Sequence, residues 1–327
     1  MAVKNVVQAV REAMLEEMRR DQRVFIIGED VGRRGGVFLA SEGFLDEFGE
    51  ERVVDSPLAE SSIVGVALGA ALNGMRPIAE VQFTDFIWPI VNQLVGEAAR
   101  AHYGTNGQVS VPLVVRTPCG GPVRGGLYHS QSAEGFFYHC PGLKVVYPST
   151  PYDAKGLLKA AIRDDDPVLF FEHKRLYRGV RGEVPDEEYT LPIGVADVKR
   201  RGEHLSIISY ALTLHYCLQA AEVLAQQGIS AEVVDLRTVK PLDKETILES
   251  VKKTGKVLIV HEDNLTGGVG AEVAAIIAAE AFEHLDGPVM RLTGPDVPAM
   301  PFAASLEAAF MPSVDKIVAA AQRLAQY

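Results

Sequence analysis

Residues 143–172 read LKVVYPSTPYDAKGLLKAAIRDDDPVLFFE. An apolar run, Leu143–Pro148, gives way to a helical stretch over Tyr152–Arg163 and then to a second apolar run, Val168–Glu172. The spacing predicts strand, helix, strand. Neither run alternates cleanly between apolar and polar residues, as expected when both faces of a sheet are covered. Working outward, Val24–Gly28, Pro77–Phe83 and Val111–Arg116 read as further strands, with helices at Ser61–Asn73 and Ile87–His102. Apolar positions at Val3, Val7, Val10, Met14 and Met18, with Glu12, Glu16 and Glu17 on other faces, predict an amphipathic N-terminal helix. The fold class is therefore α/β: an open, mostly parallel sheet with helices on both faces. The polar stretch after Arg178, broken by Gly and Pro, reads as a linker. Beyond Leu191 the pattern restarts in a second, smaller α/β domain, with strands at Leu205–Tyr210, Ser230–Leu236, Lys256–His261 and Pro288–Leu292 and helices between them. The expected domains are 1–190 and 191–327.

The chain has 327 residues, 47% hydrophobic and 23% charged, which excludes fibrous and extensively disordered classes. Forty-three acids against 32 bases leave a net charge of −11 without a basic patch, so no nucleic-acid partner is expected. There is no apolar run of about 18 residues, so no membrane partner is expected either. Cys119, Cys140 and Cys217 are widely spaced and odd in number, which argues against a disulfide framework and for a reducing, cytoplasmic setting. The acids in the first helix speak against a transit peptide, and the missing apolar core against a signal peptide. A P-loop, a zinc-protease helix and G-x-S-x-G are absent, and Gly268-Val-Gly270 lacks the third glycine of a dinucleotide fingerprint.

Four segments carry chemistry. Gly28-Glu29-Asp30-Val31-Gly32 is a strand end with two carboxylates, which either solvate a turn or face a ligand, since ligands favour the carboxyl ends of parallel strands. Asp55-Ser-Pro-Leu-Ala-Glu60-Ser-Ser opens an Ala/Gly-rich helix. Glu60 either complements the helix dipole, or carries a proton if shielded from water. Glu80-Val-Gln-Phe-Thr-Asp-Phe-Ile-Trp-Pro89 gathers aromatic residues that suit a core or a stacked heteroaromatic ligand. Finally, Cys119-Gly-Gly-Pro-Val-Arg-Gly-Gly-Leu-Tyr-His129-Ser-Gln-Ser132 is a glycine-rich loop ending at a histidine, a residue suited to a surface network or to proton transfer.

Together GEDVG, SPLAES, EVQFTDFIWP, the long stretch GGLYHSQSAEGFFYHCPGLKVVYPSTPYDAKGLLKAAI, and EVVDLRTVKPLD resemble the β subunit of the decarboxylating component of 2-oxo acid dehydrogenase complexes. These belong to the transketolase-like group of thiamine diphosphate enzymes. The resemblance runs from the N-terminal helix to Tyr327 and is strongest to the branched-chain type, through LYHSQS and the residues after it. It implies a pyrimidine-binding domain and the family's carboxyl-terminal domain. The family's GDG segment, which holds Mg²⁺ and diphosphate, is absent here. The resemblance therefore implies an α subunit that supplies those oxygen ligands in an α2β2 assembly, with a lipoyl-bearing acyltransferase as the next partner and a small 2-oxo acid as substrate.

By the same resemblance, Glu60 hydrogen-bonds the cofactor's pyrimidine and serves its proton relay, and Glu29 is a second cofactor-side acid. Leu58, Ala59, Gln82 and Phe86 touch the pyrimidine, and Phe86 stands where branched-chain relatives often carry Tyr. Phe83, Thr84, Asp85, Phe86 and His129 are expected on the substrate side, with His129 facing both the substrate and the incoming lipoyl group. A K⁺ site is implied near Val111, Leu113, Val114, Ala161, Asp164 and Asp166, although Asp164-Asp-Asp166 also reads as a solvated acidic turn. The competing readings are a β subunit acting on pyruvate or acetoin, and a catalytically silent subunit that docks the acyltransferase.

Overall fold

The computed structural model describes residues 1–327. The chain forms two compact units, Met1–Cys119 with Phe137–Ile193, and Gly120–Phe136 with Gly194–Tyr327. The sequence reading places residues 120–136 in the first domain, but they pack with the second unit.

In the first unit the strands are β1 (Ala2–Asn5), β2 (Val24–Gly28), β3 (Val53–Asp55), β4 (Arg76–Glu80), β5 (Val114–Cys119), β6 (Lys144–Val146), β7 (Val168–His173) and β8 (Arg181–Val184). Six of them lie in the order β6-β7-β5-β4-β2-β3, all parallel. Strands β2, β4, β5 and β7 are buried along their whole length, which is why their sequences read as mostly apolar runs without clean alternation. The helix Pro151–Arg163 starts on a Thr150 cap with Pro at its first position.

Two expectations for this unit change. The N-terminal helix begins only at Val6, because Asn5 and Gln8 form a reciprocal capping box. The residues before it form β1, which pairs antiparallel with β8 inside the stretch expected to be a linker. The stretch expected as one helix over Ile87–His102 is a 3₁₀ turn at Trp88–Ile90, a π-helical segment at Asn92–Ala98 and an α-helix at Ala99–Gly104.

The second unit holds β9 (Asp197–Arg200), β10 (Leu205–Ser209), β11 (Ala231–Asp235), β12 (Thr238–Lys240), β13 (Val257–Asn264) and β14 (Met290–Gly294). Its five-stranded sheet runs β14-β13-β10-β11-β9, parallel except for β9. Helices Ala211–Gln226 and Val314–Ala325 pack on it through Leu214, Leu224, Ile317 and Leu324, against Ile207, Val233 and Leu258. No helix is long and apolar enough to cross a membrane.

Candidate active site

Three parallel strands of the first unit end level with one another. Gly28 of β2 lies in register with Asp55 of β3 on one side and Glu80 of β4 on the other. The chain leaves the sheet at this edge three times, and each exit leads into a segment singled out from the sequence: Glu29 after β2, Leu58 to Glu60 after β3, and Gln82 to Phe86 after β4. The carboxyl edge of a parallel sheet is where ligands of such folds bind.

Glu60 opens the helix Glu60–Leu72, whose first turn has no side-chain cap. Glu29 is pushed above the usual carboxylate range by burial first, then by the negative charges of Asp30 and Glu60. Gln82 donates its side-chain amide to the Glu29 carbonyl at 3.1 Å, tying the exits of β2 and β4 together. Phe83 and Phe86 stand edge to face with centroids 6.1 Å apart, and the Lys174 ammonium lies 5.6 Å from the Phe83 ring centre. Leu58 is 73% exposed. Thr84 is fully buried and shares a hydrogen bond with Thr117 at 3.1 Å, which turns its hydroxyl into the unit's interior. Asp85 sits in the same 3₁₀ turn, Thr84–Phe86.

Beneath this edge lies a network that the sequence reading missed. The Arg116 guanidinium, fully buried on β5, binds Glu172 of β7 through two bonds at 2.6 and 2.7 Å and Glu80 of β4 at 2.8 Å. Tyr177 donates to the same Glu172 carboxylate. Burial alone would lower the Arg116 pKa, but Glu172 and Glu80 outweigh it. Burial raises Glu80 despite Arg116, and burial together with Glu172 raises the Tyr177 phenol. A signal was present: Glu80, Arg116 and Glu172 are charged residues of complementary sign set within mostly apolar strand runs.

His129 lies in the second unit, on the loop Gly120–Phe136. It is exposed, like its neighbours Leu127 and Tyr128. A Cβ on Gly125 would come within 2.5 Å of the His129 carbonyl, so the chain folds back on itself here only because residue 125 is glycine. Farther along, Glu134 is fully buried and accepts from the Tyr210 hydroxyl at 2.9 Å. Its carboxyl is pushed well above the usual range, chiefly by burial and then by Asp263.

The residues expected around K⁺ do lie together in the first unit. Their side-chain carboxylates are engaged within the unit: Lys144 binds Asp164 at 2.6 and 2.7 Å, and the His102 Nδ1 is 2.7 Å from Asp166. The Leu113 carbonyl accepts from Val168, the Val111 carbonyl from Leu113 and the Ala161 carbonyl from Asp164. The Arg76 guanidinium reaches the Ile162 and Asp164 carbonyls at 2.9 and 2.6 Å. Lys144 thus engages the Asp164 carboxylate and Arg76 the Asp164 carbonyl, while the Val111, Leu113 and Ala161 carbonyls accept from main-chain N–H groups.

Residues 3–180 match the transketolase pyrimidine-binding domain and residues 194–317 the transketolase C-terminal domain. The chain is 60% identical to the 2-oxoisovalerate dehydrogenase subunit beta of Bacillus subtilis (strain 168), over the whole length of both chains. It belongs to the family of 2-oxo acid dehydrogenase β subunits. It is also 48% identical to the pyruvate dehydrogenase E1 component subunit beta of the same organism, again over both full lengths. Among solved structures, a split-gene transketolase described as an inactive beta4 tetramer superposes with a TM-score of 0.81 at 23% identity, covering 99% of this chain and 98% of that one, a likeness of fold.

The donor set at the carboxyl edge fits the pyrimidine end of thiamine diphosphate, the cofactor of this enzyme family. It offers two neighbouring carboxyls, one of them raised above the usual carboxylate range, beside aromatic rings and an amide. No group of three or more His, Cys, Asp or Glu side chains is arranged to hold a metal ion.

Proposed function

We propose that the chain supplies the pyrimidine side of a thiamine diphosphate site in a branched-chain 2-oxo acid dehydrogenase. In this reading an α subunit contributes the Mg²⁺ and diphosphate ligands within an α2β2 assembly, and a lipoyl-bearing acyltransferase receives the product. The observation that carries it is the register of Gly28, Asp55 and Glu80, which delivers Glu29, Glu60 and the Gln82–Phe86 turn to one edge of the sheet.

When bound, the cofactor supplies the nucleophilic carbon and the electron sink for decarboxylation. The chain's own residues do the rest. Glu60 would hydrogen-bond the cofactor's pyrimidine and serve its proton relay, a role that demands alignment as well as acidity. Glu29, raised above the usual carboxylate range by burial and by Asp30 and Glu60, is a second acid on the cofactor side. Phe86 offers a ring face without a hydroxyl, so it stacks and does not hydrogen-bond. Leu58 and Ala59 border the same edge. His129 provides an imidazole to bind a carboxylate or pass a proton during acyl transfer.

The branched-chain substrate is favoured over pyruvate by the 60% against 48% identities. Co-expression with an α subunit and assay against several 2-oxo acids tests both levels of the reading. The expected result is kcat/KM at least about tenfold higher for 2-oxoisovalerate than for pyruvate, the scale that extra methyl groups in an apolar pocket provide. Micromolar, Mg²⁺-dependent binding of thiamine diphosphate to the isolated chain by calorimetry would refute the split-site assignment.

A further inference from the structure

The His129 loop is held at its base by acids from elsewhere in the second unit. Its two stems meet where the Gly120 N–H donates to the Gln131 carbonyl at 2.9 Å. Next to that closure stands Glu262 of β13, 5% exposed. Its Oε1 accepts from the Gly121 N–H at 2.6 Å and from the Ser132 hydroxyl at 3.3 Å, so a single oxygen takes one bond from each stem. A Cβ on Gly121 would lie 2.3 Å from the Met300 sulfur, so the first stem is pressed into place as well as bonded. Asp263, the next residue of β13, accepts from the Gly135 N–H at 3.1 Å, and Glu307 accepts from the Arg124 N–H at 2.9 Å. Between these anchors Val123, Leu127, Tyr128 and His129 are exposed.

The geometry points to Glu262 as a positioning residue for His129. A bond from a main-chain amide to a carboxylate is shorter and stronger than a neutral one. Here it fixes the path of a loop whose glycines would otherwise leave it many conformations. Ser132, the second stem's donor, is only three residues from His129, so a shift of that stem is carried to the imidazole. Displacements of about 1 Å in a reacting group cost on the order of a hundredfold in rate. The inference rests on the assignment of His129 to acyl transfer, and the test separates the two.

In the assembled αβ enzyme, Glu262→Ala should speed amide hydrogen exchange at Gly121 and across residues 120–132 by at least about tenfold, as loss of a charge-assisted bond implies. It should slow acylation of an isolated lipoyl domain by at least about tenfold, while decarboxylation measured with an artificial electron acceptor changes far less. Glu262→Gln keeps an acceptor oxygen at the same place and should stay within about threefold of wild type in both readouts, given the modest net value of one hydrogen bond. Should Glu262→Ala fail to assemble, Ser132→Ala decides, with faster exchange at residues 130–132 expected. Unchanged exchange in the deciding variant, or an equal loss of decarboxylation and acyl transfer, overturns the inference. If exchange rises and transfer falls in Glu262→Ala while His129→Ala transfers normally, the role of His129 fails and that of Glu262 must lie with another loop residue, which also overturns the positioning assignment.

Discussion

Arg116 and Glu172 meet through two parallel hydrogen bonds in the interior of the first unit, Nε to Oε1 at 2.6 Å and Nη2 to Oε2 at 2.7 Å, while Nη1 turns to Glu80 at 2.8 Å. The three side chains lock β4, β5 and β7 together just below the edge that carries Glu29, Glu60 and Gln82. Arg116→Met should cost about 3–5 kcal/mol in denaturant unfolding, because it strands two buried carboxylates without a counter-charge. The double variant Arg116→Met/Glu172→Gln should cost less than the sum of the single variants, since the second change removes one of the stranded charges. Additive losses would show that the network is not a unit.

Glu60 and Glu29 differ in what they are asked to do. Glu60→Gln preserves size and hydrogen-bonding capacity but cannot shuttle a proton. In the assembled enzyme it should slow exchange of the cofactor's C2 proton by at least about tenfold, within the 10²–10⁴ range of positioned acids and bases. Unchanged exchange would leave Glu60 with a helix-stabilising role only.

Much of this layout is legible in one dimension. The run VFIIG marks β2 to the residue, because a strand buried on both faces needs uninterrupted apolar side chains. The acids and aromatics just past the strand ends were visible for the same reason: they break those runs. What stayed hidden depends on partners far away in sequence. Val3 fits the helical spacing of Val7 and Val10, so nothing local reveals that Ala2–Asn5 pairs with Arg181–Val184. Arg116 and Glu172 each look like a polar strand end until β5 and β7 lie side by side, Arg116 opposite Phe170 and its guanidinium reaching Glu172 two residues farther along. The loop at 120–136 comes directly after β5 in sequence, yet its anchor Glu262 lies 141 residues from Gly121.

Asp263 gives the second unit a pH dependence of definite sign. Burial first, then the charge of Glu262, pushes its carboxyl up from 3.8 to about 6, against bonds from the Asn264 and Gly135 amides. The buried Glu134, bonded to Tyr210, is raised alongside it. A raised carboxyl favours the folded state most below its unfolded value, and that contribution is lost as pH climbs through the folded value. Between about pH 4 and 6, thermal unfolding of the wild type should therefore shift downward with rising pH by a few degrees more than that of Asp263→Asn, which still accepts from Gly135. Parallel curves for the two proteins would show that Asp263 is ionised throughout.

His129 separates catalysis from scaffolding. It is exposed on a loop whose Gly121, Arg124 and Gly135 N–H groups are held by Glu262, Glu307 and Asp263, three bonds that do not involve the imidazole. His129→Ala should leave gel-filtration mass and thiamine diphosphate affinity close to wild type. Acylation of an isolated lipoyl domain should fall by about a hundredfold or more, the usual contribution of a positioned proton donor or carboxylate ligand. His139, also exposed but carried by the first unit, serves as the control, and His139→Ala should transfer acyl groups at nearly the normal rate. A wild-type transfer rate in His129→Ala, or a defect confined to assembly, would remove the imidazole from the chemistry and leave the loop as a structural element alone.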